Sequence, residues 1–445
     1  MSGSPAAPVA IVGGGLAGIA AAVALGEAGH AVTLYEARPR LGGATHSFDR
    51  DGLAVDNGQH VFLRCCTAYL GLLDRMGVLD RVRLQDRFDV HVLTPGGRRG
   101  RLRRTALPGP LHLLPALATY SLLSPPDRLR AVRGALELAR LDPADPALDR
   151  LTLESWLAAH GQTGPAREAL WDLFAKAALN ADAGQAALGP AVKVFRTALL
   201  GRSGAADIGV PDAPLGELHG TAAHDAVKRH GGEVRLSAKV TGIAEGPAVV
   251  VDGVPARASA VIVAVPHEQA ARLVPVEAAP GRDRWHELGA SPIVNVHVVY
   301  DRRVSDLPAA AAVGSPVQWV FDKTGVAGLS AGQYLTVSVS AAQPWIDLPT
   351  ASIRAEFVPA LERLFPAARQ ARVTDFFVTR ERRATFFQGP GSGARRPGAR
   401  TRWPGLYLAG AWTDTGWPDT MEGAVRSGLH AAGLVRRHLI SGAAS

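Results

Sequence analysis

The run Val9-Ala10-Ile11-Val12 is apolar at every position and too short for a buried helix, so it predicts a fully buried strand. Glycines at 13, 14, 15 and 18 follow, and then an alanine-rich stretch that reads as helix until Gly29 ends it after Ala28. Ala31 to Tyr35 repeats the strand pattern and completes a β-α-β unit of about thirty residues. Residues 76–205 predict mostly helix, broken at Pro108, Pro110, Pro125, Pro126, Pro143 and Pro146. Strand patterns return at Glu233 to Leu236, Val249 to Val251 and Val261 to Val265. Further strands are expected within 292–300 and 317–340, and a last one at Leu406 to Ala409 precedes a closing helix. The pattern assigns the α/β class with two interleaved domains. A Rossmann-like domain takes residues 1–75, 206–270 and 386–445, and an α+β substrate domain takes 76–205 and 271–385.

Composition supports a large packed interior. The 445 residues are 47% hydrophobic and 20% charged, which excludes a disordered chain and exceeds what one ordinary core holds. The two cysteines, Cys65 and Cys66, are adjacent; they supply neither a disulfide framework nor the spacing of a zinc site, and no metal is expected. Met1 to Pro8 carries no positively charged leader, so a cytoplasmic location is expected. Leu113 to Leu123 contains Pro115 and is far short of the roughly 18 residues of a spanning helix.

Charge is uneven. The net formal charge is +8, and residues 81–140 alone carry 12 Arg against four acids. Arg98, Arg99, Arg101, Arg103 and Arg104 precede the apolar, proline-broken stretch Ala106 to Leu123, and an arginine-studded helix around 127–140 follows it. Basic residues beside an apolar surface segment suit peripheral contact with an anionic membrane, here the inner face of the cell membrane. Nucleic acid is excluded as a partner because no aromatics interleave the arginines to stack bases.

Gly13-Gly14-Gly15-Leu16-Ala17-Gly18 has the G-x-G-x-x-G spacing directly between a strand and a helix. Gly13 permits the tight turn, Gly15 lets backbone approach a pyrophosphate, and Gly18 lets helix pack on strand. Unpaired N–H groups at the helix start face the phosphates. Glu36, at the end of the second strand, is placed to accept hydrogen bonds from ribose hydroxyls and to repel a 2′-phosphate. Leu41-Gly42-Gly43 adds a second glycine pair soon after it.

The closing segment, Leu406-Tyr-Leu-Ala-Gly-Ala-Trp-Thr-Asp-Thr-Gly-Trp-Pro-Asp-Thr-Met-Glu-Gly-Ala-Val-Arg-Ser-Gly428, resembles the final flavin-binding segment of the amine oxidase and phytoene desaturase superfamily. The second glycine pair is likewise typical of FAD rather than NAD folds. The resemblance implies an FAD-binding domain of the amine oxidase type. It places cofactor contacts at Gly13, Gly15, Leu16, Ala17, Gly18, Glu36, Ala37, Arg40, Gly42, Gly43, Ala44, Gly58, Gln59, His60, Val240, Gly410, Ala411, Thr420, Met421 and Val425. A helix beginning near Thr420 points its positive end at the flavin, which favours the anionic reduced ring.

Five further segments narrow the resemblance: Asp56-Asn-Gly-Gln-His60, Pro110-Leu-His-Leu-Leu114, Ala177-Ala-Leu-Asn180, Gln318-Trp-Val-Phe-Asp322 and Glu381-Arg-Arg-Ala-Thr-Phe386. Together, over nearly the whole chain, they resemble the hydroxysqualene dehydroxylases. That resemblance implies a large isoprenoid substrate, hydroxysqualene, whose allylic hydroxyl leaves while reduced FAD, recharged by an external reductant, supplies hydride. It makes His60 and Asp414 the candidates for proton donor and Asn180 a candidate to orient the hydroxyl. Two positions depart from the family: Ala44 stands where Arg is frequent, and Ala411 where an acid is frequent. Both losses predict weaker FAD binding unless Arg38 or Arg40 compensates. A carotenoid desaturase, another flavin oxidase or a non-catalytic isoprenoid carrier on the same scaffold are the rival readings. Amine oxidation is the less suited of these, since the chain is only 6% aromatic and shows no evident aromatic pair for a cage.

Overall fold

A computed structural model describes residues 7–442; residues 1–6, on which the expectation about Met1–Pro8 largely falls, and 443–445 lie outside the described residues. Val9–Val12 is buried along its whole length and sits at the centre of a five-stranded sheet. The order is Glu233–Arg235, Val32–Tyr35, Val9–Val12, Ala260–Val263, Leu406–Leu408, and every pairing is parallel. Parallel strands buried on both faces need continuous apolar runs, which is what Val9–Val12 and Ala260–Val263 supply. The helix Leu16–Glu27 joins the first two strands and packs against the closing helix Met421–Gly442, with Ile19, Ala20 and Val23 in one core with Val425, Ala431, Ala432 and Val435. The fold is thus α/β with a Rossmann-like dinucleotide-binding sheet, drawn from three distant parts of the chain.

The closing helix also braces the first third of the chain. Its Glu422, with no accessible side-chain surface, accepts hydrogen bonds from Ala68 N (3.1 Å) and Tyr69 N (2.8 Å) at the start of helix Thr67–Met76. It satisfies two of that helix's orphan donors and sets a negative charge at its positive end.

A second, seven-stranded sheet has the order Val373–Thr385, Ser291–Tyr300, Gln333–Val339, Trp319–Asp322, Ala309–Ala312, Asp89–Leu93, Arg99–Arg103. Strand periodicity gives Ser291–Tyr300 two different faces. Val294, Val296 and Val298 enter a core with Ile353, Phe357 and Leu361 of helix Thr350–Leu364. The alternate residues Asn295 and His297 are buried polar groups turned toward Asn57 and Thr379.

The expectation of mostly helix over 76–205 needs correction, because Val82–Leu84, Asp89–Leu93 and Arg99–Arg103 are strands. Arg99-Gly-Arg-Leu-Arg103 alternates exposed arginines with buried Gly100 and Leu102, a period-2 pattern that the run of charge obscured. Pairing also trims the free positive charge. Arg101 and Arg103 share Asp89, while Arg104 and Arg64 neutralise the sealed Asp207. Arg98 and Arg99 have no carboxylate partner among the described residues. Within the apolar stretch, Leu113 and Leu117 pack inward, whereas Leu107, Leu111 and Leu114 are exposed, as are Leu129 (73%) and Leu136 on helix Pro125–Arg140. No helix among the described residues is long and apolar enough to cross a membrane.

Candidate active site

Two glycine turns interlock over the carboxyl ends of the parallel strands. Gly42 N donates to Gly14 O (2.9 Å), and Gly43 lies against Gly15. Glu36 holds the first turn from below, its Oε2 accepting from Gly14 N (2.7 Å) and its Oε1 from Arg38 N (2.8 Å). Arg40 donates to Gly43 O (3.1 Å) and so braces the second turn. Gly15 has φ −79° and ψ 177°, and an ideal Cβ built there meets only Gly43 Cα at 3.9 Å. The space above Gly15 is therefore open within the protein itself. At Gly18 the same construction lands 1.9 Å from Gly13 O, so helix and turn touch there and nothing larger fits.

The remaining expected contacts surround this cradle at different depths. Ala37 and Ala44 are exposed, and Ala44 O accepts from Asn57 Nδ2 (2.9 Å). Leu16 and Ala17 open the first helix, and Val240 is buried at the start of strand Val240–Ala244. Gly410 and Ala411 follow the last parallel strand; Gly410 N donates to Ser427 Oγ (2.8 Å) and Ala411 O accepts from Arg396 (2.9 Å). Thr420 caps the closing helix by accepting from Gly423 N (3.1 Å), just before Met421. Val425, one turn into that helix, has no accessible surface and packs against the first helix, so it supports the cradle from behind rather than facing it.

Beside the turns lies a polar layer. Asp56 and Lys323 form a pair at 2.9 Å with side chains 6% and 7% exposed, and Asp56 Oδ1 accepts from Ser47 Oγ (2.7 Å) and Leu215 N (3.0 Å). This pair fixes the start of the segment Asn57-Gly58-Gln59-His60. Asn57 then donates to Glu381 (2.9 Å), Thr379 Oγ1 donates to Asn57 O (3.0 Å), and Gln59 N reaches Asn295 Oδ1 (3.4 Å). Burial, the largest cause for each, holds His46 and His60 down to about 4 and His219 and His297 down to about 3. His46 Nδ1, Gln59 Oε1 and His219 Nδ1 are buried with no protein partner. Buried polar atoms normally find partners, so these three fit a polar cofactor lying alongside, and His219 packs against Gly42 of the second glycine turn.

The depressed histidines link folding to pH. Their unfolded values, near 6.5, exceed the folded ones, so the unfolded chain binds more protons as the medium is acidified. Their contribution is complete above about pH 6.5 and is lost progressively toward about pH 4. We expect the urea midpoint to fall steeply across that interval; a midpoint flat down to about pH 4.5 contradicts neutral buried histidines.

The sequence-level candidates for chemistry do not gather at one point. His60 is half-buried at the end of the segment that Asp56 leads into. Asp414 does not belong with it: its side chain is exposed in the loop after Thr413. Asn180 is 2% exposed and its amide is already committed, with Nδ2 donating to Ser291 O (2.9 Å) and Thr385 Oγ1 (3.1 Å) and Oδ1 accepting from Ala341 N (2.7 Å). It staples helix Asp172–Leu179 to the large sheet and has no donor left for a substrate hydroxyl.

Asp419 was not singled out, because nothing in its own neighbourhood marks it. Its side chain is half-buried. Its Oδ2 accepts from Phe386 N (2.7 Å), its own N donates to Gln388 Oε1 (3.0 Å), and Gln388 Nε2 donates to Leu179 O (2.9 Å). Burial pushes its carboxyl up to about 6, against the opposing pull of the Phe386 N–H and Arg396.

A glycine cradle open above Gly15, an acid at the ribose position and a capped helix aimed from Thr420 define a dinucleotide-binding flavoprotein. Residues 16–436 match the description "flavin containing amine oxidoreductase". Over 96% of this chain and 98% of the relative, the sequence is 31% identical to a hydroxysqualene dehydroxylase of Rhodopseudomonas palustris. It is 30% identical, over 96% and 97%, to one of Sinorhizobium fredii, and 25% identical, over 95% and 96%, to a zeta-carotene desaturase of Synechocystis. Among solved structures, putrescine oxidase bound to putrescine superposes with a TM-score of 0.73 at 22% identity, covering 97% of this chain and 99% of that one. Cyclohexylamine oxidase of Brevibacterium oxydans gives 0.72 at 20%, covering 98% and 100%. The chain belongs to the flavin containing amine oxidoreductase family and is an FAD-dependent oxidoreductase.

Proposed function

We propose that this enzyme removes the hydroxyl of hydroxysqualene reductively to give squalene, within the synthesis of squalene and hopanoids. The observation that carries the reading is full-length similarity to two hydroxysqualene dehydroxylases at 31% and 30% identity. When bound, reduced FAD supplies the hydride for such a reaction. The chain's own residues do the rest. Gly15 and Gly43 leave room for the pyrophosphate, Glu36 is placed for the ribose, and Gly58 to His60 flank the ring region.

Incubation of purified protein with hydroxysqualene and reduced flavin under anaerobic conditions should yield squalene. Zeta-carotene, phytoene and putrescine with oxidised flavin should be left unchanged. The second reading, carotenoid desaturation with hydride running from substrate to flavin, is favoured by the full-length similarity to zeta-carotene desaturases. Turnover of a carotenoid alone establishes it. Colourless protein that extracts isoprenoid lipid points instead to a carrier.

We also propose that the substrate arrives from an anionic membrane on the cytoplasmic side, across the exposed Leu107, Leu111, Leu114 and Leu129. Flotation with anionic liposomes should be lost in a variant with Leu111, Leu114 and Leu129 changed to Asp. With Arg101 and Arg103 paired to Asp89, the contact should be more apolar than ionic and should survive moderate salt. Flotation that the triple variant retains removes this surface as the anchor.

A further inference from the structure

We propose that Asp419 is the proton donor that converts the departing hydroxyl of the substrate into water. The assignment rests on the dehydroxylation reading above. It begins with position: Asp419 directly precedes Thr420, the cap of the closing helix, and so stands where that helix aims into the site. The strand Val373–Thr385 sets the scale. Its Glu381 touches Asn57, and Phe386, just past its end, touches Asp419, so five extended residues, about 16 Å, separate these two contacts.

The carboxyl is held but not consumed. Oδ2 accepts from Phe386 N, while Oδ1 has no partner among the described residues and keeps some exposure to solvent. Gln388, itself 1% exposed, fixes the loop by bridging Asp419 N to the helical substrate region at Leu179. The charged groups nearby have partners of their own, although the buried Nε of Arg396 has none among the described residues. Arg396, the one whose charge acts on Asp419, donates to Ala411 O, Thr413 O and Thr415 Oγ1 and is also felt by Asp149 and Asp414. Lys193 and Arg426 lie over the Trp417 ring at 4.9 and 4.7 Å.

The alternatives fall away on protonation and place. His60 is held to about 4 and carries no proton to give near neutrality, and Asp414 is exposed. A carboxyl near 6 keeps its proton in roughly a tenth of molecules at pH 7 and is a strong enough acid to assist departure of hydroxide. In the step itself, the carbon–oxygen bond breaks with both electrons going to oxygen. Asp419 gives that oxygen its proton, and water leaves. The vacated carbon accepts the hydride that anionic reduced flavin supplies, the flavin is left oxidised and neutral, and the Asp419 carboxylate regains its proton from solvent.

Asp419→Asn retains an acceptor for Phe386 N–H but has no acidic proton. With FAD-loaded protein and hydroxysqualene, kcat should fall on the order of 100-fold with KM nearly unchanged, while FAD affinity and Tm stay at wild-type values. The wild-type rate should decline as pH rises through about 6, and this limb should vanish in the Asn variant. Asp419→Glu should recover part of the rate. Independently of turnover, the infrared carbonyl band of a protonated carboxylic acid should titrate away near pH 6 in the wild type and be missing in Asp419→Asn. An Asn variant within about threefold of wild type, or lacking activity while the infrared titration is unchanged, overturns the role of Asp419 alone. Wild-type protein that leaves hydroxysqualene untouched overturns the reaction and this role with it.

Discussion

The Gly15→Ala variant should purify folded and colourless. Its backbone angles suit any residue, and a methyl group there meets only Gly43 Cα at 3.9 Å, an ordinary contact. The protein has no reason of its own to keep that volume empty. A pyrophosphate approaching the helix N–H groups does. FAD affinity should fall at least about 100-fold, or about 2.7 kcal/mol, while the Tm of the cofactor-free protein shifts little. Gly18→Ala is the contrasting case, since its methyl overlaps Gly13 O at 1.9 Å and the whole first helix must move; that variant should lose stability with or without FAD. Flavin absorbance after dialysis and calorimetric titration separate the two. Parental FAD affinity in Gly15→Ala removes the cofactor from this turn.

Lys323→Met should be the most damaging single change in the polar layer. It strands the Asp56 carboxylate, buried, with only Ser47 and Leu215 as neutral donors. Breaking a buried ion pair by deleting one member costs about 3–5 kcal/mol, a large part of a typical protein's stability. The Asp56→Asn, Lys323→Met double variant should regain a substantial part, because no charge is left unpaired. Urea denaturation of the single and double variants tests this. Equal stability in both contradicts a coupled pair. Because Asp56 leads directly into Asn57–His60, the single variant should lose bound FAD as well.

The parallel sheet and its glycine turn were legible because both depend on local rules: a short apolar run, a positional glycine, an acid at the next strand end. Glu36 and Gly15 stand where that grammar puts them. The strand at Arg99–Arg103 was hidden, since its alternation is carried by one glycine and one leucine among arginines. The chemical residues were harder still. Asp414 and Asp419 are five positions apart in one loop and look alike in sequence; only the approach of Phe386 N and Gln388, about thirty residues upstream, buries one and leaves the other in solvent. Asn180 entered through the family resemblance of the segment 177–180, yet its partners at 291, 341 and 385 commit it to architecture.

The bond from Glu422 to Tyr69 spans 353 residues, and the strand Leu406–Leu408 completes a sheet begun at Val9–Val12. A nascent chain therefore leaves the ribosome with its first strands, its glycine turns and the start of helix Thr67–Met76 assembled against nothing on one side. Such non-local closure makes folding slow and exposes apolar surface during synthesis. Flavin capture must wait until the closing helix has been translated, so cellular yield of this enzyme should respond to chaperone supply and to riboflavin, and a premature stop before Leu406 should give aggregate rather than a smaller flavoprotein.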